Sequence, residues 1–574
     1  MSFLKQTAPD VDFPTWSKGT RAEKIKPMAR HWAEVGFGTP VALHLFYVLK
    51  VALYILIGWA VVVATPGIDG FFDPSSWFAE PIVFQKIVLY TMLIEVVGLG
   101  CGFGPLNNRY FPPMGSILYW LRPGTIRQPP WSRIPLTGGD TRTPVDVALY
   151  AALLVMTVVA LFLGGTGPVD ELGSTVGGLP TWSVVTILVL LAAIGLRDKT
   201  IFLASRGEVY GALTVTFLFV GADMILGAKL IFLCIWLGAA TSKLNRHFPF
   251  VIATMMSNNP IVRSPKLKRL FFRKFPDDLR PGLPARGIAH VSTAVEGLVP
   301  LVLFFTHGGW PTLIAAIVML CFHFGILSAI PMGVPLEWNV FMMVGVVTLF
   351  LGHSDIGLGD LVSPWPLLLF AVSAGVVVIG NLMPRKVSFL PGMRYYAGNW
   401  DTTLWCMKPS ASAKVEKNIV AIASMPAAQL QRFYGSPEAA QVALYMGYAF
   451  RAFNSHGRAL FTLAHRAMAG TDEAQYMLTD GERICTTTMG WNFGDGHLSN
   501  EQLIASMQKR CRFEPGEVRI VLLDAQPIHH QTQQYRLVDP AIGEFERGFV
   551  RVADLVDRQP WDDDVPVTVQ WRAE

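Results

Sequence analysis

The sequence predicts an all-α polytopic membrane domain of about ten transmembrane helices, followed by a small cytosolic α+β domain. Composition is the first reason: 52% of the 574 residues are hydrophobic and only 16% are charged, whereas soluble proteins average about 25% charged residues. Distribution is the second reason. The apolar residues form long runs between Val41 and Met383, and polar and apolar residues alternate from 394 to 574.

The long apolar runs set the positions of the predicted membrane spans. A helix needs about 20 mostly apolar residues to cross about 30 Å of hydrocarbon, and neighbouring helices allow shorter spans. We predict spans at 41–64, 82–103, 146–165, 181–197, 205–222, 225–243, 287–306, 311–331, 338–353 and 365–384.

The connecting loops predict the orientation of these spans, because Lys and Arg in short loops favour the cytosolic side. Loop 65–81 contains three acidic residues and no basic one, whereas loop 104–145 contains five arginines. Loop 244–286 is strongly basic, and loop 354–364 is acidic. We therefore expect a plasma-membrane protein with both termini in the cytosol.

Three regions follow from this topology. Residues 1–40 form a basic cytosolic segment without the apolar core of a signal peptide. Residues 41–386 form the transmembrane domain, with cytosolic loops at 104–145 and 244–286, and residues 394–574 form the cytosolic α+β domain. Within that last domain we predict helices at 439–453 and 457–468, and strands at 483–490, 518–523 and 567–571.

The six cysteines are scattered and contain no CxxC pair or metal-ligand spacing. We predict free thiols and no metal site. The glycine-rich turn at 491–497 lacks the Lys-Ser or Lys-Thr of a phosphate loop, and the pair His529-His530 has no further ligand at a suitable spacing. Both are interpreted as turns, and the sequence identifies no cofactor.

Ionisable residues within the predicted spans are the strongest functional signal. Glu95, Glu296 and His323 lie inside spans, and Lys243 ends one. A charge at a helix centre costs about 2.5–3.5 kcal/mol on insertion scales, so such groups face the bundle interior and find partners. We predict a polar internal cavity in which these four residues are the candidate catalytic groups. The alternatives are structural ion pairs, snorkelling of the lysine and a satisfied core histidine.

Residues 230–244, LIFLCIWLGAATSKL, resemble a segment of the horizontally transferred transmembrane superfamily, in which small residues precede Lys-Leu. That superfamily includes the vitamin K-dependent gamma-carboxylases and the lipase maturation factors. The helix of Glu296 and the sequence His323-Phe324-Gly325-Ile326 are similar to its paired late helices, so the resemblance spans residues 180–355. The whole chain resembles an uncharacterised, mainly actinobacterial family of membrane proteins.

This resemblance implies a role for Lys243. The matching lysine of the gamma-carboxylases deprotonates a reduced quinone. Two departures weaken the transfer: other relatives share the lysine without using a quinone, and the terminal domain here is predicted to be cytosolic rather than lumenal. A lysine at the cytosolic end of its helix, attracted to carbonyl groups and lipid phosphate, is the structural alternative.

Two loop segments have the composition of membrane-surface contacts. Residues 107–124 mix aromatic, arginine and proline residues, and we predict that Arg109, Trp120 and Arg122 contact lipid headgroups or a phosphorylated substrate. Plain interfacial anchoring is the alternative. Residues 266–275 alternate basic and apolar side chains, which is typical of a segment lying on anionic lipid.

Together these features predict a protein whose intramembrane cavity binds a lipid, an isoprenoid or a quinone in cell-envelope metabolism, acting as a membrane enzyme. A non-catalytic transporter or an accessory subunit of an envelope complex is the alternative. The expected partners are membrane lipids, and the basic residues are interpreted as signals of orientation rather than of nucleic-acid binding.

Overall fold

The computed structural model describes residues 3–101, 116–332, 336–491 and 495–573. Its first two helices are α1 (Phe13–Trp16) and α2 (Arg21–Val35). The apolar part of the chain then contains the helices α3 (Val41–Val63), α4 (Pro81–Val96), α5 (Ile117–Trp120), α6 (Pro144–Phe162), α7 (Thr181–Arg197), α8 (Lys199–Ala204), α9 (Ala212–Thr216), α10 (Ala222–Ser242), α11 (Phe248–Asn258), α12 (Pro265–Arg269), α13 (Leu283–Phe305), α14 (Gly309–Leu327), α15 (Leu336–Gly345) and α16 (Trp365–Leu382).

Six helices of the described chain are long and apolar enough to cross a membrane: α3, α6, α10, α13, α14 and α16. The central one is α10, because it is buried along most of its length whereas the other five each expose an apolar side. It packs against α13 and α16. Only a helix surrounded by other helices has so little surface left for lipid, so the bundle is built around α10.

The other predicted spans coincide with shorter helical segments. Helices α4 and α7 have 16 and 17 residues, and α15 continues into a π-helical turn at Val346–Leu351. The predicted span at 205–222 is interrupted, since Arg206 has a left-handed conformation (φ 54°) between α8 and the π-helical turn Gly207–Gly211. The wide turn changes the direction of the backbone and turns Arg206 into the bundle.

The C-terminal part contains a six-stranded antiparallel sheet in the order β4-β3-β5-β6-β7-β8. A separate hairpin, β1 (Phe272–Lys274) with β2 (Asp278–Pro281), precedes α13. The strands of the large sheet are β3 (Thr402–Met407), β4 (Met477–Asp480), β5 (Val518–Leu523), β6 (Thr532–Asp539), β7 (Gly543–Arg551) and β8 (Val567–Arg572). Its helices are α17 (Pro409–Asn418), α18 (Pro426–Tyr434), α19 (Pro437–Phe453), α20 (Gly457–Ala467), α21 (Gly481–Met489), α22 (Asp495–Leu498), α23 (Glu501–Cys511) and α24 (Val552–Asp557).

Most of the elements predicted in this part are confirmed, with one exception. The predicted helices correspond to α19 and α20, and the strands at 518–523 and 567–571 are β5 and β8. The predicted strand at 483–490 is wrong, because this segment is helix α21. Asp480 is the N-cap residue of α21, and its side chain accepts a hydrogen bond from the Arg483 N–H. Gly490, with φ 82°, ends the helix. These two caps override the strand preference of the three threonines inside the segment.

The N-terminal helix α2 joins the C-terminal part rather than standing free. It packs against α19, where Trp32 meets Phe450 and Phe453. Arg21 donates a hydrogen bond of 2.9 Å to the carbonyl oxygen of Phe461 and pairs with Glu473. The first and last parts of the chain therefore share one core.

The bundle and the sheet are also in direct contact. Tyr119, at α5, donates its hydroxyl proton to the carbonyl oxygen of Thr488 (2.6 Å), and Gln128 donates to that of Leu498 (2.7 Å). A second contact is centred on His247, whose ring nitrogens lie 2.6 Å from Ser455 Oγ and 2.8 Å from Gln526 Oε1. Burial lowers the pKa of His247 to about 4, so this imidazole is neutral at physiological pH.

All six cysteines are free, as predicted.

Candidate functional site

Lys243 and Glu296 form a buried ion pair. Lys243 follows the last residue of α10, Glu296 lies in the middle of α13, and the two helices pack against each other. The ammonium group donates to a Glu296 carboxylate oxygen, and the two side chains are only 8% and 7% exposed. Each charge thus stabilises the other in place of the water that burial has removed. A buried charge needs such a partner to remain in an apolar bundle.

A groove of about 430 Å³ opens beside this pair. Lys243 and Leu244 line it from the end of α10, Arg246 and Phe248 from the next turn, and His290 from α13. The Lys243 ammonium lies 5.4 Å from the centre of the Phe248 ring, within the range of a cation–π contact. Every ionisable side chain that lines the groove is basic. The groove therefore combines apolar walls with positive charge.

His323 is fully engaged by protein groups. The Trp236 indole N–H donates to Nε2 over 3.0 Å, so the ring proton is on Nδ1, which donates to Asn339 Oδ1 over 2.8 Å. Lys243 is within electrostatic range of this ring. To accept a proton His323 would have to release Trp236, so the geometry matches a satisfied core histidine.

Glu95 lies in a second cluster, apart from the Lys243–Glu296 pair. Its carboxylate accepts hydrogen bonds from the Cys101 N–H (2.9 Å) and thiol (3.2 Å), and the charges of Arg206 and Glu337 act on it. Glu337 Oε1 is 2.8 Å from the Lys50 ammonium. The ionisable groups are thus divided between two clusters rather than arranged around one cavity.

Arg206 is the cation at the centre of the second cluster. Its Nε donates to Glu208 Oε1 over 2.7 Å, and its guanidinium carbon lies 4.4 Å from the Trp338 ring centre. Several buried polar atoms here have no hydrogen-bond partner within the described ranges: Arg206 Nη2, Glu208 Oε2, Tyr210 Oη and Glu337 Oε2. An unsatisfied buried group costs about 1–3 kcal/mol. The cluster therefore has unused capacity to bind a water molecule or a polar ligand group.

Sequence reasoning missed Arg206 and Glu337 as site residues. Arg206 is the second residue of the predicted span at 205–222, and Glu337 lies one position before the predicted span at 338–353. The signal in both cases is an ionisable residue at the edge of an apolar run, where snorkelling and burial give the same pattern.

The three predicted headgroup contacts have different positions. Arg109 lies outside the described residues. Trp120 is fully buried, and its indole N–H donates to the Met489 carbonyl oxygen over 2.9 Å. Arg122 is exposed. Trp120 therefore joins the bundle to the sheet, and of the two described residues only Arg122 is accessible to a lipid.

A family comparison fits this combination of apolar bundle and terminal sheet. The family model described as "Transmembrane protein of unknown function (DUF3556)" matches residues 1–570. The chain belongs to this family. No match was found among curated proteins or among solved structures. Because the match includes both the bundle and the sheet, the two parts together form the DUF3556 unit.

In this DUF3556 protein a charged cleft of about 240 Å³ lies where the bundle meets the sheet. Asp524 Oδ1 is 3.0 Å from Arg536 Nη2, and Arg385 approaches the other Asp524 oxygen to 3.9 Å. Burial and the neighbouring Asp401 raise the pKa of Asp524 to about 7. Burial also lowers the pKa of Lys199, on the opposite wall, to about 8. Within the described ranges there is no group of three or more His, Cys, Asp or Glu placed to hold a metal ion.

Proposed function

We propose that this DUF3556 protein crosses the plasma membrane ten times, with residues 394–574 and both termini in the cytosol. The six long apolar helices, the shorter helices at the other predicted spans and the alternating charge of the loops support this topology. Packing of α2 on α19 supports it further, because the N-terminal helix and the C-terminal sheet must then lie on the same side. Cysteine substitutions at exposed Lys417 and Asp355 test it: a membrane-impermeant maleimide added to intact cells should label only the second.

We further propose that the chain binds an amphipathic membrane molecule in the groove beside Lys243, as a step in cell-envelope metabolism. The observation that carries this proposal is the basic groove that ends at the Lys243–Glu296 pair. Leu244, at its rim, is 68% exposed, and α13 exposes Val291 and Leu298 on its apolar side. A headgroup beside Lys243 would therefore leave its hydrocarbon chain in contact with lipid-facing surface.

Charge favours two of the three candidate ligand classes, a lipid and an isoprenoid, over a quinone. A phosphate or carboxylate headgroup can replace Glu296 as the partner of Lys243, and Arg246 and His290 would add to its binding. A neutral quinol has no negative charge to take the place of Glu296 beside Lys243. A phosphorylated lipid or isoprenoid therefore fits this chemistry better than a quinone.

Binding is tested with the purified full-length chain in nanodiscs. Polyprenyl phosphate and menaquinone are the probes, and retention is measured by native mass spectrometry. The variants are Lys243→Met, the double variant Lys243→Met with Glu296→Gln, which leaves no unpaired charge, and Lys417→Met as an exposed-lysine control. We expect the wild type and the control to retain polyprenyl phosphate, and both Lys243 variants to bind it about tenfold more weakly. Equal retention by the double variant would refute the proposal.

A non-catalytic accessory role is the second candidate, favoured by the pairing of Lys243, Glu296 and Lys50 with protein groups. Complementation of a gene deletion separates the two functions. An accessory protein tolerates Glu95→Gln, the Lys243→Met/Glu296→Gln pair and their combination, provided that it folds. A lipid-handling protein loses activity when the Lys243–Glu296 pair is removed.

A further inference from the structure

A third cavity, of about 490 Å³, lies between the β1–β2 hairpin and the start of α13. Three arginines line it: Arg269 before β1, Arg273 within β1, and Arg286 in the first turn of α13. Leu270 and Leu283 line it as well. It shares no lining residue with the Lys243 groove. The surrounding segment is the one for which the sequence predicts contact with anionic lipid.

The three arginines of the cavity differ in whether an acidic residue pairs with them. Arg269 pairs with Glu34, and its guanidinium carbon lies 4.7 Å from the Phe275 ring centre. Arg273 and Arg286 form no ion pair within the part of the chain that the structure describes. Partial burial, then the charges of Arg280 and Arg286, lower the pKa of Arg273, whereas Asp278 and Asp557 act in the opposite direction. No acidic residue lines the cavity itself, so its like charges favour an anion between them.

The start of α13 adds a second, independent attraction for an anion. This 23-residue helix begins at Leu283, and no side chain caps its first N–H groups. Free N–H groups and the helix dipole both favour negative charge at that end. Gly282 lies so close to the hairpin that an added Cβ would approach the Leu270 carbonyl oxygen to 2.8 Å. The glycine therefore holds the helix start against the arginine-bearing hairpin.

The apolar rim indicates where the anion comes from. Leu283 and Leu270 are 83% and 57% exposed, and α13 is one of the helices able to cross the membrane. A membrane-spanning α13 would place the cavity where the helix enters the bilayer, at the depth of the headgroup phosphates. A lipid bound there through its phosphate would extend its acyl chains past the two leucines.

We propose that this cavity binds the phosphate of an anionic phospholipid, held between Arg273 and Arg286 at the N-terminus of α13. The site fixes the hairpin and α13 to the membrane surface. It is separate from the Lys243 groove, so neither proposal depends on the other.

The test compares the wild type with R273Q/R286Q in nanodiscs of phosphatidylglycerol or of phosphatidylcholine. The control, R263Q/K274Q, removes two charges from the same loop outside the cavity. The readouts are the melting temperature and the phosphatidylglycerol retained in native mass spectra. We expect phosphatidylglycerol to stabilise the wild type and the control, and retention by R273Q/R286Q to fall about tenfold. Equal melting temperatures in phosphatidylcholine show that R273Q/R286Q folds normally.

Two outcomes would overturn the proposal. One is that phosphatidylglycerol raises the melting temperature of R273Q/R286Q as much as it raises that of the wild type. The other is full reproduction of the wild-type stabilisation by inorganic phosphate added to phosphatidylcholine discs, which would assign the cavity to a free anion instead of a lipid.

Discussion

The Lys50 ammonium lies 2.8 Å from Glu337 Oε1, and this pair joins α3 to α15 inside the bundle. Lys50 also donates to the Gly100 carbonyl oxygen over 2.9 Å. The Glu337 side chain is 1% exposed. Because the carboxylate is buried, the Lys50 ammonium takes the place of the water that would otherwise surround it.

Removing one partner of this pair should destabilise the protein more than removing both. Lys50→Met leaves Glu337 buried and uncompensated, and we expect a loss of about 3–5 kcal/mol. The double variant Lys50→Met/Glu337→Leu replaces the pair with apolar groups and should recover much of that loss. Melting temperatures of the two single variants and the double variant form a double-mutant cycle. Additive effects would mean that the two residues are not coupled.

Trp120→Phe should weaken the contact between the bundle and the sheet. The variant loses the hydrogen bond from the indole to the Met489 carbonyl oxygen and leaves this buried oxygen without that partner. The expected cost is about 1–3 kcal/mol, measured by thermal unfolding. Trp131→Phe is the control, because Trp131 lies in the same loop and is 62% exposed. If both variants melt with the wild type, the indole does not secure this contact.

Stability should depend on pH through Asp524. Its pKa is about 7 in the folded protein, against 3.8 ordinarily, so between about pH 4 and pH 7 the folded state holds a proton that the unfolded state has lost. Its contribution to stability therefore falls as the pH rises through this window and is constant above it. The slope is at most about 1.4 kcal/mol per pH unit. The charged groups near Asp524 are Asp401, Glu501, Glu544, Lys199, Arg385 and Arg536.

The matched variant is Asp524→Asn, which cannot titrate. Melting temperatures from pH 5 to pH 8 should decline less steeply for this variant than for the wild type. Parallel curves would assign the pH dependence to other groups.

Gly490→Ala should destabilise the chain more than Gly435→Ala. Both glycines have positive φ, 82° and 69°, so a Cβ is strained at either position by about 1–2 kcal/mol. Only at Gly490 would the added Cβ also collide with a neighbour, because Tyr119 Cδ1 would lie 2.7 Å away, whereas nothing lies within 4 Å at Gly435. Thermal unfolding measures the difference. Equal losses would show that Tyr119 moves aside without cost.

Local pattern predicted the helices and the individual polar residues, but not their partners. Apolar runs gave the positions of α3, α10 and α13, since hydrophobicity and length decide whether a helix suits a membrane. Lys243 and Glu296 were each predicted as site residues, but their pairing was not. The two residues are 53 positions apart, and they meet only because α10 packs against α13. The segment around Trp120 has the composition of an interfacial anchor. Its burial depends on α21, which follows hundreds of residues later.

The strands show the same limit. β5 and β8 were predicted from their own β-branched residues, whereas β3, β4, β6 and β7 were not. β3 is buried on both faces, so it lacks the alternation that marks a half-exposed strand.

The shared core of α2 and α19 has a consequence for biosynthesis. Arg21 leaves the ribosome long before its hydrogen-bonding partner Phe461, which is 440 positions further along. Helices α11 and α12 also pack on α2, but the contact of Trp32 with Phe450 and Phe453 must wait until the whole bundle has been translated and inserted. Docking of α19 onto α2 is thus among the last steps of maturation, and a premature stop before α19 would leave that face of α2 permanently exposed.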